Sequence, residues 1–74
     1  MTHSGSQTIQ IVVNGEGRTI PRGLSVEGLL GELGVSGDKV AVELNRSIVR
    51  RPEWATTPVE DGARVEVVQF VGGG

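Results

Sequence analysis

Gly72, Gly73 and Gly74 follow an apolar stretch over residues 65–71. If the chain ends there, it carries an α-carboxylate on a tail of residues without Cβ atoms. Such a tail adopts nearly any backbone conformation and passes through channels too narrow for other residues. The Gly74 carbonyl carbon is sterically bare. An α-carboxyl group has a pKa of about 3.3 to 3.7, so near neutral pH it is an anion and a poor electrophile until something esterifies or adenylates it. Chemistry at Gly74 therefore needs a partner enzyme. Phe70 and Val71, next to the glycines, are expected to form the apolar element that docks it. The bland alternative is a frayed end, which most domains have.

The rest of the sequence offers few other reactive groups. There is no cysteine among the 74 residues, which removes disulfides, thiolate catalysis and Cys-ligated zinc. His3 has no second ligand at metal-binding spacing and reads as a bystander. The Gly15-Glu16-Gly17 segment lacks both the third glycine of a dinucleotide loop and a following Lys-Ser/Thr pair, so it is a turn. No catalytic acid, base or metal site is assembled, and no bound cofactor is expected. The formal charge of -2 comes from seven basic and nine acidic residues that are well mixed. A nucleic-acid surface would instead show a basic patch. The adjacent Arg50 and Arg51 read as a solvated loop. No apolar run approaches the roughly 20 residues of a membrane span, and no leader pattern precedes the fold. The expectation is a soluble, cytoplasmic monomer.

The elements that must position the tail follow from hydrophobic spacing. Residues 1–8 have no apolar pattern and are expected to be a disordered extension. Ile9, Ile11 and Val13 alternate with Gln10, Val12 and Asn14, the period of a half-buried strand. Asn14-Gly15 is a hairpin signal, because both residues tolerate positive φ, and residues 18–20 form the return strand. Ser25 is placed to cap a helix starting at Val26. Within it Val26, Leu29, Leu30 and Leu33 fall at i, i+3, i+4 and i+7 on one face, and Gly34 suits the left-handed C-terminal cap. Gly28 and Gly31 lie inside this helix, either permitting close packing or merely weakening it. Residues 40–44 form the next strand, Asn45-Arg46 a turn, and Ile48-Val49 a short strand. A helical turn over residues 52–54 leads to Trp54, expected under that loop. Asp61-Gly62 turns the chain into a last strand over residues 64–71.

One domain of this size buries only about 60% of the surface that its unfolded chain exposes, leaving little room for an enclosed active site. The element order predicts an α+β fold of the ubiquitin-like β-grasp kind. A mixed sheet carries one main helix across it, with the first and last strands parallel at its centre. The domain spans residues 9–71, and residues 72–74 are a flexible tail.

Residues 40–45, Ile48-Val49, Trp54, Asp61-Gly62 and above all the closing Val65-Glu66-Val67-Val68-Gln69-Phe70-Val71-Gly72-Gly73-Gly74 resemble the bacterial ThiS family of sulfur carriers in thiamine biosynthesis. The likeness runs from Ile9 onward, with an N-terminal extension and a third terminal glycine as departures. It implies a carrier protein and not an enzyme. A ThiF- or MoeB-like adenylyltransferase would activate the Gly74 carboxylate with MgATP. Sulfur from a cysteine desulfurase-derived persulfide donor would then convert it to a thiocarboxylate, and the thiazole synthase ThiG would accept that sulfur. Gly72 and Gly73 would enter the partners' active sites, and Phe70 and Val71 would dock outside them, with Glu60, Asp61 and Glu66 as candidate contributors. The alternatives are a carrier serving molybdopterin or a specialised sulfur metabolite, a ubiquitin-like protein modifier, and an interaction module with an inert tail.

Overall fold

The computed structural model describes residues 7–36 and 38–70. Among these, five strands form one mixed sheet in the order β2-β1-β5-β3-β4. They are β1 (Thr8–Val13), β2 (Glu16–Pro21), β3 (Val40–Leu44), β4 (Ser47–Val49) and β5 (Arg64–Gln69), with helix α1 (Val26–Leu33) between β2 and β3. A 3-10 turn at Arg51–Glu53 links β4 towards β5. The parallel contact between β1 and β5 pairs Val12 with Arg64 and Val13 with Val65. All other strand pairs are antiparallel. This is the expected β-grasp arrangement, with β5 at the centre.

Alternation in β1 and β5 sends one set of side chains to the helix and the other to the opposite face. Ile9, Ile11 and Val13 meet Ile20, Val42, Val65, Val26, Leu29 and Leu30 in a single core, with Leu33 and Val67 packed at its margin. The helix begins where the Ser25 Oγ accepts the Gly28 N–H at 3.1 Å. It ends at Gly34, whose φ of 73° is left-handed. The Gly34 N–H donates to Gly31 C=O at 3.1 Å and the Val35 N–H to Leu30 C=O at 2.9 Å, the paired bonds of a Schellman cap.

The edges of four strands differ from their sequence reading, β4 only by the inclusion of Ser47. Strand β1 takes in Thr8, and the Gln7 carbonyl accepts the Arg22 N–H at 2.9 Å, so these two residues already belong to the sheet edge. The remainder of the expected N-terminal extension, residues 1–6, lies outside the described residues. Strand β2 extends from Glu16 to Pro21 although only Ile20 is buried, because its main chain pairs with β1 along the full length. Strand β5 stops at Gln69 and not at Val71, which lies outside the described residues. Trp54 is a member of the main core and not of a separate cluster beneath the loop. Its indole N–H donates to the Val49 carbonyl at 2.8 Å, and the Arg51 guanidinium lies 5.8 Å from the ring centroid.

Candidate functional site

The site grows from the C-terminal end of β5. Alternation puts Val65 and Val67 towards the helix and Glu66 and Val68 on the opposite face, and Phe70 continues the second set. Phe70 and Val68 are each 55% exposed, and Ile48 is 71% exposed. These three are the large hydrophobic side chains exposed among the described residues. They share one face of the sheet: Ile48 lies opposite Glu43 and Glu43 opposite Glu66, while Val68 lies opposite Ala41. At the β3–β4 edge a shallow hollow of about 330 Å³ is lined by Ala41, Ile48 and Pro52 together with the core residues Val42, Val49 and Trp54. The α1 side of the sheet is filled by the core, and among the described residues the opposite side carries this exposed apolar row.

Phe70 was the aromatic expected to dock a partner, and its exposure removes the reading in which it fills the core. Ile48 and Val68 add to that surface and were not singled out from the sequence. A signal existed in retrospect, since Val67 and Val68 break the alternation of β5 and one of them has to face outward. Val71, Gly72, Gly73 and Gly74 lie outside the described residues. Of the acidic candidates, Glu66 sits on the exposed face. Glu60 and Asp61 do not join it: they precede β5, and the extended chain from Arg64 to Phe70 spans about 20 Å. Asp61 has a structural task there, because its Oδ1 accepts the Gln10 N–H at 2.8 Å.

Two asparagines hold β5 in place. The Asn45 N–H donates to the Arg64 carbonyl at 2.7 Å, and its Oδ1 accepts the Arg64 N–H at 2.9 Å. On the other side of the strand, the Asn14 carboxamide bonds Val67 through both of its ends. Both residues have positive φ, 50° at Asn14 and 51° at Asn45. Among the described residues no group of three or more His, Cys, Asp or Glu side chains is placed to hold a metal ion. No helix among them is long and apolar enough to cross a membrane.

A β-grasp domain whose open sheet face exposes Ile48, Val68 and Phe70 shortly before the glycines of residues 72–74 places the chain among the ubiquitin-like proteins. The comparisons narrow this class. The model describing the ThiS family matches residues 11–74, and the chain belongs to that family. The crystal structure of the thiamine biosynthesis protein ThiS from Geobacter metallireducens is 38% identical, with a TM-score of 0.76 over 89% of this chain and 100% of that one. The sulfur carrier protein ThiS of Escherichia coli is 32% identical over 66 residues, covering 89% of this chain and all of the relative. A thiazole synthase of Paramagnetospirillum magneticum is 48% identical over 66 residues, which are 89% of this chain but 20% of that protein. A thiazole synthase of Magnetococcus marinus is 39% identical over the same share. The chain thus spans a fifth of the length of these two relatives.

Proposed function

We propose that this chain carries sulfur as a thiocarboxylate on Gly74 and delivers it for synthesis of the thiamine thiazole. The observation that carries the reading is a family match that runs through residue 74, so the glycines belong to the matched sequence. A carboxylate oxygen of Gly74 attacks the α-phosphate of MgATP on a partner adenylyltransferase, and pyrophosphate leaves. The terminal sulfur of a persulfide then attacks the acyl-adenylate carbonyl, expelling AMP and forming an acyl disulfide. A second thiol cleaves the S–S bond, forming a new disulfide with the donor sulfur and releasing the thiocarboxylate. No side chain of the carrier acts as acid, base or metal ligand in these steps.

The domain's part is mechanical. Residues 71–74 span about 13 to 14 Å when extended, at roughly 3.3 to 3.6 Å each, which lets the carbonyl reach a recessed centre while the sheet stays outside. Phe70, Val68 and Ile48 give both successive partners an apolar face to dock on. A thiazole synthase as acceptor is supported by the two thiazole synthases that carry a segment similar to this chain within their own length.

Intact mass spectrometry of the protein made with its native partners tests the reading. The expected result is a mass gain equal to one oxygen exchanged for one sulfur, located on the last residue by fragmentation. Removal of Gly73 and Gly74 should abolish ATP-dependent activation; retained activation of the trimmed protein overturns the carrier role. Transfer to thiazole synthase then decides the pathway, since a charged carrier that gives it no sulfur belongs to another acceptor. Conjugates to other proteins that depend on Gly74 would instead mark a protein modifier.

A further inference from the structure

The main chain of β1 pairs with β5 only as far as Asn14. The Val12 N–H donates to Ala63 C=O and the Asn14 N–H to Val65 C=O, each at 2.9 Å. There the chain reverses into β2, with left-handed φ of 50° at Asn14 and 84° at Gly15, the angles of a type I′ turn. The next inward rung on β5 belongs to Val67, and no backbone of β1 reaches it. The Asn14 side chain does: its Oδ1 accepts the Val67 N–H at 2.8 Å and its Nδ2 donates to the Val67 carbonyl at 3.1 Å. A carboxamide has the donor and acceptor of a peptide group, so it extends the ladder by one rung after the main chain has turned away.

We propose that Asn14 is a positioning residue for the C-terminal tail, and that its carboxamide sets the direction in which β5 delivers residues 71–74 to the activating enzyme. This rests on the carrier reading above. Beyond Val67 the β1 side of β5 has no further strand residue in register among the described residues, and the other side is held by the Phe70 N–H donating to Lys39 C=O at 2.7 Å. Among the described residues Asn14 and Lys39 are thus the last ties on the two sides of the strand. The turn alone does not require asparagine, because glycine tolerates the same φ without strain. What glycine lacks is the amide that grips Val67. The side chain is exposed and belongs to no part of the core, so its removal acts on the strand end and leaves the packing of the domain in place.

The variant Asn14→Gly keeps the turn and deletes the clamp. Asn45→Gly keeps its turn and deletes the one side-chain bond at the opposite end of β5, Oδ1 to the Arg64 N–H, and serves as the control. Pyrophosphate exchange with the cognate adenylyltransferase gives kcat and KM for each carrier, and amide hydrogen exchange reports the strand. The expected result for Asn14→Gly is roughly 3- to 10-fold faster exchange at Val67. Its kcat should fall about 3- to 10-fold, because the rung at Val67 is lost while Lys39 still ties Phe70. KM should stay within about twofold, because the face of Ile48, Val68 and Phe70 is untouched. Asn45→Gly should keep the wild-type kcat. A wild-type kcat for Asn14→Gly, or an equal loss in Asn45→Gly, overturns the proposal. If Asn14→Gly does not fold, Asn14→Asp retains the turn and the acceptor for the Val67 N–H but loses the donor. An intermediate kcat is then expected, and an unchanged one overturns the proposal. Failure of the wild-type protein to be adenylated at all would overturn the carrier reading itself, a separate outcome.

Discussion

The carbonyl of Lys39 accepts the Phe70 N–H at 2.7 Å, so the ladder between β3 and β5 runs one residue past the last residue of the strand. Phe70 is therefore fixed by its backbone while the residue stays 55% exposed. A pinned main chain with a free aromatic side chain lowers the ordering cost of docking, because the backbone is already placed. Phe70→Ala should change the free energy of unfolding by less than about 0.5 kcal/mol, as expected for a surface substitution. It should weaken binding to the adenylyltransferase by about 1 to 3 kcal/mol. Denaturant unfolding and titration calorimetry check the two halves, and a loss of stability with unchanged affinity would place the ring in the fold's own packing.

Trp54 presents the opposite case. It is 5% exposed, packs in the core with Val49 and Val59, and its indole N–H satisfies the Val49 carbonyl. Trp54→Ala should cost about 3 to 5 kcal/mol, from lost burial and the cavity left behind. Arg51, which lies over the same ring and meets Asp38 at 3.5 Å, has a side chain 64% exposed, and the Asp38 side chain is 79% exposed. Arg51→Ala should therefore cost less than about 1 kcal/mol. Chemical denaturation of the two variants separates them; comparable losses would mean that the cation and the indole act as one unit.

Much of this fold is readable along the chain because its inward-facing positions are apolar at regular spacing. Ile9, Ile11 and Val13 in β1, and Val26, Leu29 and Leu30 in α1, announce both element and face. Reading fails where the main chain and not side-chain burial makes the element. Strand β2 lies at a sheet edge with Ile20 as its one buried residue, so its length is set by pairing with β1 and leaves no apolar trace. The site divides in the same way. Phe70 stands out as the lone phenylalanine, whereas Ile48 lies in a strand too short to show a face, and only the register across Glu43 and Glu66 turns it outward. The Asn14 clamp joins residues 53 positions apart, and the hairpin signal at Asn14-Gly15 accounts for the asparagine without it.

The two glycines inside α1, equivalent in the sequence, are separated by their surroundings. A Cβ at Gly31 would meet nothing within 4 Å, whereas one at Gly28 would lie 3.1 Å from the Leu24 Cδ2 and 3.5 Å from its Cβ. Gly31 therefore only weakens the helix, and Gly31→Ala should stabilise the protein by about 0.5 to 1 kcal/mol. At Gly28 the same gain in helix propensity is opposed by displacement of a half-buried leucine, so Gly28→Ala should gain less. Paired thermal melts rank the two, and an equal gain would show that Leu24 yields without cost.

The two hairpins solve the same backbone problem with different residues. Asn14-Gly15 places glycine at a φ of 84°, where it carries no steric penalty, while Asn45-Arg46 places arginine at 73°. For a residue with a Cβ the left-handed region costs roughly 1 to 2 kcal/mol. Glycine would avoid that cost but loses about 0.5 to 1 kcal/mol more backbone entropy on folding. The balance predicts that Arg46→Gly stabilises the protein by about 0.5 to 1 kcal/mol, whereas Gly15→Ala destabilises it. Asn45 keeps both of its bonds to Arg64 in the first variant, so the anchoring of β5 at that end should be unchanged, and the Asn14 clamp on Val67 is untouched, so the rate of tail activation should be unchanged as well. Urea unfolding together with pyrophosphate exchange measures both. A loss of stability in Arg46→Gly would show that the Arg46 side chain contributes a contact worth more than the strain of its turn.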